Sequence, residues 1–183
     1  MMCGSYTQEE VRLMNCFRQL WEQHVYWTRF FIISTAADLG DLKPVTDRLL
    51  QNPGDFARAL APFYGAGNAR RFQELLTQHL QIAASLINAD KQQNRKQADG
   101  LREKWRQNAD GIAAFLACLN PCWDEASWKT MLCRHLEMTE QQAVLRLQGR
   151  CEADVKIFGD IEDEALKMAD LMSCGIIRQH LRS

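Results

Sequence analysis

Four histidines, four prolines and ten glycines among 183 residues leave little material for the chemistries that announce themselves in a sequence. No E-x-x-H occurs, which excludes the di-iron carboxylate bundles built on that motif. No C-x-x-C occurs among Cys3, Cys16, Cys118, Cys122, Cys133, Cys151 and Cys174. Their odd number also argues against a disulfide framework, so they read as reduced thiols of a cytoplasmic protein, mostly buried as small hydrophobes. No glycine-rich loop follows a strand-like run, so nothing offers a cradle for a nucleotide phosphate. No uninterrupted apolar stretch approaches the roughly 20 residues needed to span a bilayer. The opening MMCGSYTQEE has no apolar h-region, so no secretory signal is expected. Neither sign of charge is in excess: 22 Lys and Arg against 23 Asp and Glu leave a net charge of −1. That balance gives no electrostatic footing for nucleic acid or an anionic membrane surface.

What is present is helical. A composition 46% hydrophobic and 25% charged, poor in glycine and proline, suits one soluble all-α domain over residues 1–183. Four long segments carry the 3.6-residue period. The first runs from about Thr7 to Leu39, opened by a capping box of Thr7 and Glu10 and closed by Gly40. The second runs from about Ala66 to Asp90. The third begins near Lys96 and stops before Asn120-Pro121, because proline disfavours a helical conformation in the residue before it. The fourth runs from about Cys151 to His180. Two shorter helices, Lys43–Gln51 and Asp55–Phe63, are expected between the first and second. Two more, Asp124–His135 and Glu140–Leu147, are expected between the third and fourth, the last opened by a T-x-x-Q box at Thr139 and Gln142. The polar run 88–100 reads as the link between halves.

Those halves resemble each other. A shift of 84 residues sets Trp21, His24, Phe31 and Gly65 on Trp105, Asn108, Phe115 and Gly149. A shift of 86 sets Phe72, Leu80 and Ala83 on Phe158, Leu166 and Ala169. The order long, short, short, long occurs twice, over about 7–90 and 96–180. One such unit cannot bury its apolar stripe alone. The expected architecture is an antiparallel four-helix bundle of two pseudo-repeats, with the short helices flanking it.

At about 100° per residue, His24 falls in the middle of the core face of the first helix. Leu13, Phe17, Leu20, Phe31 and Thr35 lie around it, Trp21 and Thr28 stand close by, and Arg29 is turned well away. His79 is surrounded by Phe72, Leu75, Ala83 and Leu86 on the second helix, and Asn108 by Leu101, Ile112 and Phe115 on the third. On the fourth, Ala165 takes the matching position, with Glu162 at the edge of the stripe. All four positions fall near mid-helix and so share one layer. Unpaired polar groups there would cost roughly 1–3 kcal/mol each, so they should bond to one another, to water or to a ligand. Two readings stay open. The layer is a set of satisfied core groups that fix helix register, or it is a pocket lined by His24, Trp21, Thr28, His79, Asn108 and Glu162. Such a pocket could take a small ligand or, through His24 and His79, a metal ion or haem iron. An enzyme could instead use His24 or His79 as its acid–base group with Glu162 as partner. His135 and His180 are expected at the surface, and Trp105, Trp123 and Trp128 in packing around the helix ends. Phe30 and Ile33 point off the core stripe, so a short helix or a second copy of the chain in a homodimer should cover them. Leucine at His24 or Asn108 is expected to be tolerated.

The stretches LWEQHVYWTRFFIIST, FARALAPFYG, QHLQIAASLI, WRQNADGIAAFLACLNPCW and ALKMADLMSCGII together resemble a family of small helical bacterial proteins, mainly from Firmicutes. The resemblance spans nearly the whole chain from about residue 19. The function of that family is uncharacterised, and some members carry the label acetylglutamate kinase. The residues here give that label no support, since such a kinase needs an α/β fold with glycine-rich phosphate loops after strands. The resemblance implies that H-V-x-W-T-R, Q-H-L, W-x-x-N-A-D and A-L-x-M-A-D stand together as a unit.

Overall fold

The computed structural model describes residues 6–182, and every described element is helical. Helices α1 (Gln8–Ala36), α2 (Leu42–Leu49), α3 (Asn52–Lys91), α4 (Arg95–Leu119), α5 (Glu125–Leu147) and α6 (Cys151–Ile176) follow in order, and α6 passes into a π-helical turn, Ile177–Leu181. Local chemistry sets the boundaries. Thr7 caps α1 as expected: its hydroxyl accepts from the Glu10 backbone N–H (3.2 Å), and Glu10 accepts from the Thr7 N–H (2.7 Å). Asn94 and Asp124 cap α4 and α5 in the same manner through the amides of Gln97 and Ser127. The long α3 is broken at Gly65, whose φ of 77° suits glycine because it has no Cβ. Gly149, with φ 72°, takes the same left-handed conformation after α5.

Three boundaries differ from the expectation. Helix α1 ends at Ala36 with Ala37 as its C-cap, short of Gly40. Between Asp124 and Leu147 there is one continuous helix, not two. Thr139 and Gln142 are both buried in its middle, so the T-x-x-Q pattern belongs to a core-facing stripe and not to a cap. The polar run 88–100 is not a linker either: only 92–94 separate α3 from α4.

Helix α1 packs on α2, α3 and α6, α4 lies between α3 and α5, and α5 lies against α6. The main core runs through all the long helices and fully buries Phe17, Phe56, Phe72, Trp128, Met168 and Met172. Each such side chain contributes about 1.5–3 kcal/mol by leaving water. A smaller cluster forms where Val45 and Leu49 of α2 cover Phe31 and Ile32 of α1. Phe30, on the other side of α1, is exposed. Trp123 reaches α6 because position 175 is glycine; a Cβ there would lie 1.9 Å from the indole nitrogen. That nitrogen donates to the Leu171 carbonyl at 3.2 Å.

Arg29 grips Asp154 of α6 in a bidentate pair (2.6 and 3.2 Å), and Gln142 (3.1 Å) and Arg146 (3.4 Å) of α5 complete the cluster. At the far end Glu10 of α1 pairs with Arg182. The cysteines are also not where their hydrophobicity suggests. Cys16, Cys118, Cys133 and Cys151 are exposed, Cys122 and Cys174 are half-buried, and Cys3 lies outside the described residues. No described helix is long and apolar enough to cross a membrane.

Candidate functional site

Three imidazoles meet in the middle of the core. His24 on α1, His79 on α3 and His135 on α5 are each no more than 3% exposed. The His24 ring centroid lies 6.5 Å from that of His79 and 5.8 Å from that of His135. Two indoles flank them: Trp21 stands edge-on to His24 at 5.6 Å, and Trp105 lies 5.3 Å from His79.

Asparagines set the protonation of two rings. Asn108 of α4 donates through Nδ2 to the Leu75 carbonyl (3.1 Å), which turns its Oδ1 toward His79 Nδ1 at 2.8 Å. His79 Nδ1 must therefore carry the proton and donate. Its Nε2 is then the acceptor that the Trp105 indole N–H requires, and the two lie 3.1 Å apart. His79 is a neutral imidazole with both nitrogens in use. The same device recurs at His24. Asn52, at the start of α3, donates to the Leu20 carbonyl (3.0 Å) and presents Oδ1 to His24 Nδ1 at 3.2 Å. In both cases the carbonyl belongs to the residue four before the histidine. His24 is thereby fixed with its proton on Nδ1 and a lone pair on Nε2.

His135 has no such lock. Its Nδ1 is buried without a hydrogen-bond partner, as are Trp21 Nε1 and Thr139 Oγ1, one turn along α5 from His135. Burial dominates the acid–base behaviour of all three rings. It pushes His24 down to about 4, against a small opposing effect of Asn52. It pushes His79 to about 3, with the neighbouring His24 acting in the same direction. His135 is driven well below the ordinary histidine range by burial and by the other two rings.

Of the residues expected to line a site, His24, Trp21, His79 and Asn108 do come together. Thr28 is buried, but its hydroxyl donates to the His24 carbonyl (2.7 Å), a bond within the helix. Glu162 is elsewhere: it accepts from the Tyr26 hydroxyl (2.5 Å) at the exposed α1–α6 surface. Glutamate at the edge of a helical stripe reached solvent rather than core, which costs no desolvation. His135 is buried rather than exposed, and Trp105 bonds to His79 rather than packing at a helix end. Asn52 was not anticipated, because before Pro53 it reads only as a turn signal. His135 could have been found. Once α5 is taken as one helix, Trp128, Leu132, His135, Thr139 and Gln142 recur at the helical period.

As metal ligands, His24 and His79 are close enough, but both nitrogens of His79 are already committed. Among the described residues, no group of three or more His, Cys, Asp or Glu is arranged to hold a metal ion. A cleft of about 530 Å³ runs between α3 and α4, and Leu75, Gln78, Lys104 and Asn108 are among the residues that wall it. The Asn108 amide thus has the cleft on one side and His79 on the other. In comparisons with known proteins, no family model, curated protein or solved structure shows a match to this chain.

Proposed function

We propose that this chain is a non-enzymatic helical bundle whose central layer binds a small, uncharged polar molecule on its His24–His135 side. One observation carries the reading: the indole nitrogen of Trp21, Nδ1 of His135 and the hydroxyl of Thr139 are buried without partners. Each such group costs about 1–3 kcal/mol unless something answers it, while the His79 side of the layer is closed by its own network. A ligand with one acceptor for the Trp21 N–H and a second polar group for His135 Nδ1 and the Thr139 hydroxyl suits this side. A divalent ion is disfavoured, because its charge would enter a low-dielectric layer whose lining residues bring no carboxylate or thiolate to offset it. Acid–base catalysis through Glu162 is disfavoured by the position of that residue at the surface. Imidazoles whose neutral form is so strongly favoured are also weak bases at neutral pH.

The test is a thermal-shift and calorimetric screen of small amides, alcohols and azoles on untagged protein, with zinc and copper salts in parallel. Binding that is present in the native chain and lost in His135→Leu supports the reading. Equal shifts in both proteins, or a response to metal ions alone, would overturn it.

We also propose that the fold is a four-helix bundle of two repeats, α1 matching α4 and the second part of α3 matching α6. The left-handed glycines Gly65 and Gly149 stand 84 positions apart, as do Trp21 and Trp105, both of which face a histidine of the layer.

A further inference from the structure

We propose that the three-imidazole layer is an acid-sensitive latch, holding α1, α3 and α5 together only while all three rings are neutral. The geometry is the basis. Each ring comes from a different helix, and His24 lies within 6.5 Å of both others. A proton taken from solvent onto any of them makes an imidazolium in a layer with nothing to balance it.

The groups bonded to or stacked on the rings are uncharged. Helix α1 brings Trp21, α3 brings Asn52, and α4 brings Asn108 and Trp105, while Thr139 lies one turn from His135 on α5. Toward α2 the charged groups are Arg48 and Asp55, which pair with each other, and Arg48 also bonds to Gln23. Helix α6 carries two buried carboxylates, but Asp154 is held by Arg29 and Arg146, and Glu164 lies beside Lys167. Neither has a hydrogen bond or ion pair to any of the three rings. At one ring protonation would also break an existing bond. At His79 it would put a proton on the nitrogen that accepts from Trp105. A second imidazolium would be repelled by the first. The closed bundle therefore resists every proton, whereas the opened chain accepts three at the ordinary histidine value near 6.5.

The sign follows from that difference. All three rings are depressed in the folded state, so the latch is fully closed above about 6.5 and weakens as pH falls from there toward 4. Below about pH 6 each pH unit favours the open form roughly tenfold per ring, on the order of a thousandfold for three. The carboxyl of Glu10, held down to about 2 from an ordinary value of 4.5, acts mainly below the pH range of the test that follows.

The test uses the full chain without ligand. Urea unfolding at steps between pH 7.5 and 5.0, followed by tryptophan fluorescence, gives the number of protons taken up on opening. Close to three protons for the native chain and close to two for His135→Leu are expected, with His180→Gln, at an exposed site, as the control. Where His135→Leu fails to fold, imidazole NMR of the native chain decides. Three rings should stay neutral until the whole bundle opens and should recover on return to pH 7.5. An uptake below about one proton, or any of the three rings titrating near 6.5 in the folded protein, would overturn the proposal.

Discussion

Asn108→Leu tests the asparagine lock directly, and the structure reverses the expectation that leucine is tolerated there. The amide of Asn108 is the partner of the His79 Nδ1 proton, and the other nitrogen of that ring is the acceptor for the Trp105 indole. With leucine at 108, His79 can keep its tautomer and leave its own N–H buried and unpaired. It can instead move the proton to Nε2 and leave the indole N–H unpaired. Either way at least one buried donor is lost to bonding, at a cost of about 1–3 kcal/mol. The Leu75 carbonyl loses a bond as well, but it can keep its helical partner, so its share is small. Burying the leucine returns part of the loss, because the site is already only 8% exposed. A net destabilisation of about 1–2 kcal/mol is expected, read as a lower urea midpoint at unchanged slope at pH 7.5. Adding His79→Leu removes the stranded donor, so the double variant should lose less than the two singles added together, by about 1 kcal/mol. A midpoint for Asn108→Leu equal to that of the native chain, or strict additivity in the double variant, would refute the reasoning.

Asp154→Asn should cost about 3–5 kcal/mol in thermal or urea unfolding, since it leaves Arg29 and Arg146 without their counter-charge around a fully buried group. Lys43→Ala, which breaks an exposed pair with Asp47, should move stability by less than about 0.5 kcal/mol. Gly175→Ala should destabilise by about 1–3 kcal/mol because its methyl group meets the Trp123 ring, and unchanged near-ultraviolet tryptophan signals would count against that contact. Gly67→Ala, in open space on a helix, should instead stabilise by about 0.5–1 kcal/mol. Glu10→Gln should speed amide hydrogen exchange across 177–182 while leaving the main melting transition in place, because the pair with Arg182 ties that segment to α1.

How far the sequence led depended on the range of the signal. The all-helical class followed from periodicity, and the Thr7 cap and the break at Gly65 followed from chemistry within a few residues. The same local reasoning failed at Thr139. A threonine followed three residues later by glutamine looks like a helix start, yet inside a helix those positions share one face, and here that face is buried. Splitting α5 there hid His135, because its stripe was cut in two. The helical wheel found His24, His79 and Asn108, since mid-face position is a property of each helix alone. It could not pair them. Asn52 meets His24 only because the start of α3 folds back on α1, and Trp105 meets His79 only through the packing of α4 on α3. Glu162 and Arg29 show the limit from the other side. Both stand off the centre of their stripes, and their fates were decided by what the neighbouring helix offered: a buried carboxylate for Arg29 and a surface hydroxyl for Glu162.

The recurrence of one device with different members indicates what the layer specifies. His24 uses an asparagine at the start of α3, and His79 uses one in the middle of α4. Each asparagine ties an imidazole to the carbonyl of the preceding turn of its own helix. A buried imidazole needs a partner for its N–H, and each asparagine supplies one. A lock on the Nδ1 proton fixes where the Nε2 lone pair lies. At His79 that lone pair is consumed by Trp105. At His24 the matching indole, Trp21, stands edge-on to the ring, and its N–H is buried without a partner. The two halves of the layer thus share their components and differ in closure. The closed half ties α3 to α4 through Asn108 and Trp105. The half containing His24 and His135 holds the unanswered polarity, and it is there that the proposed ligand or an arriving proton would act.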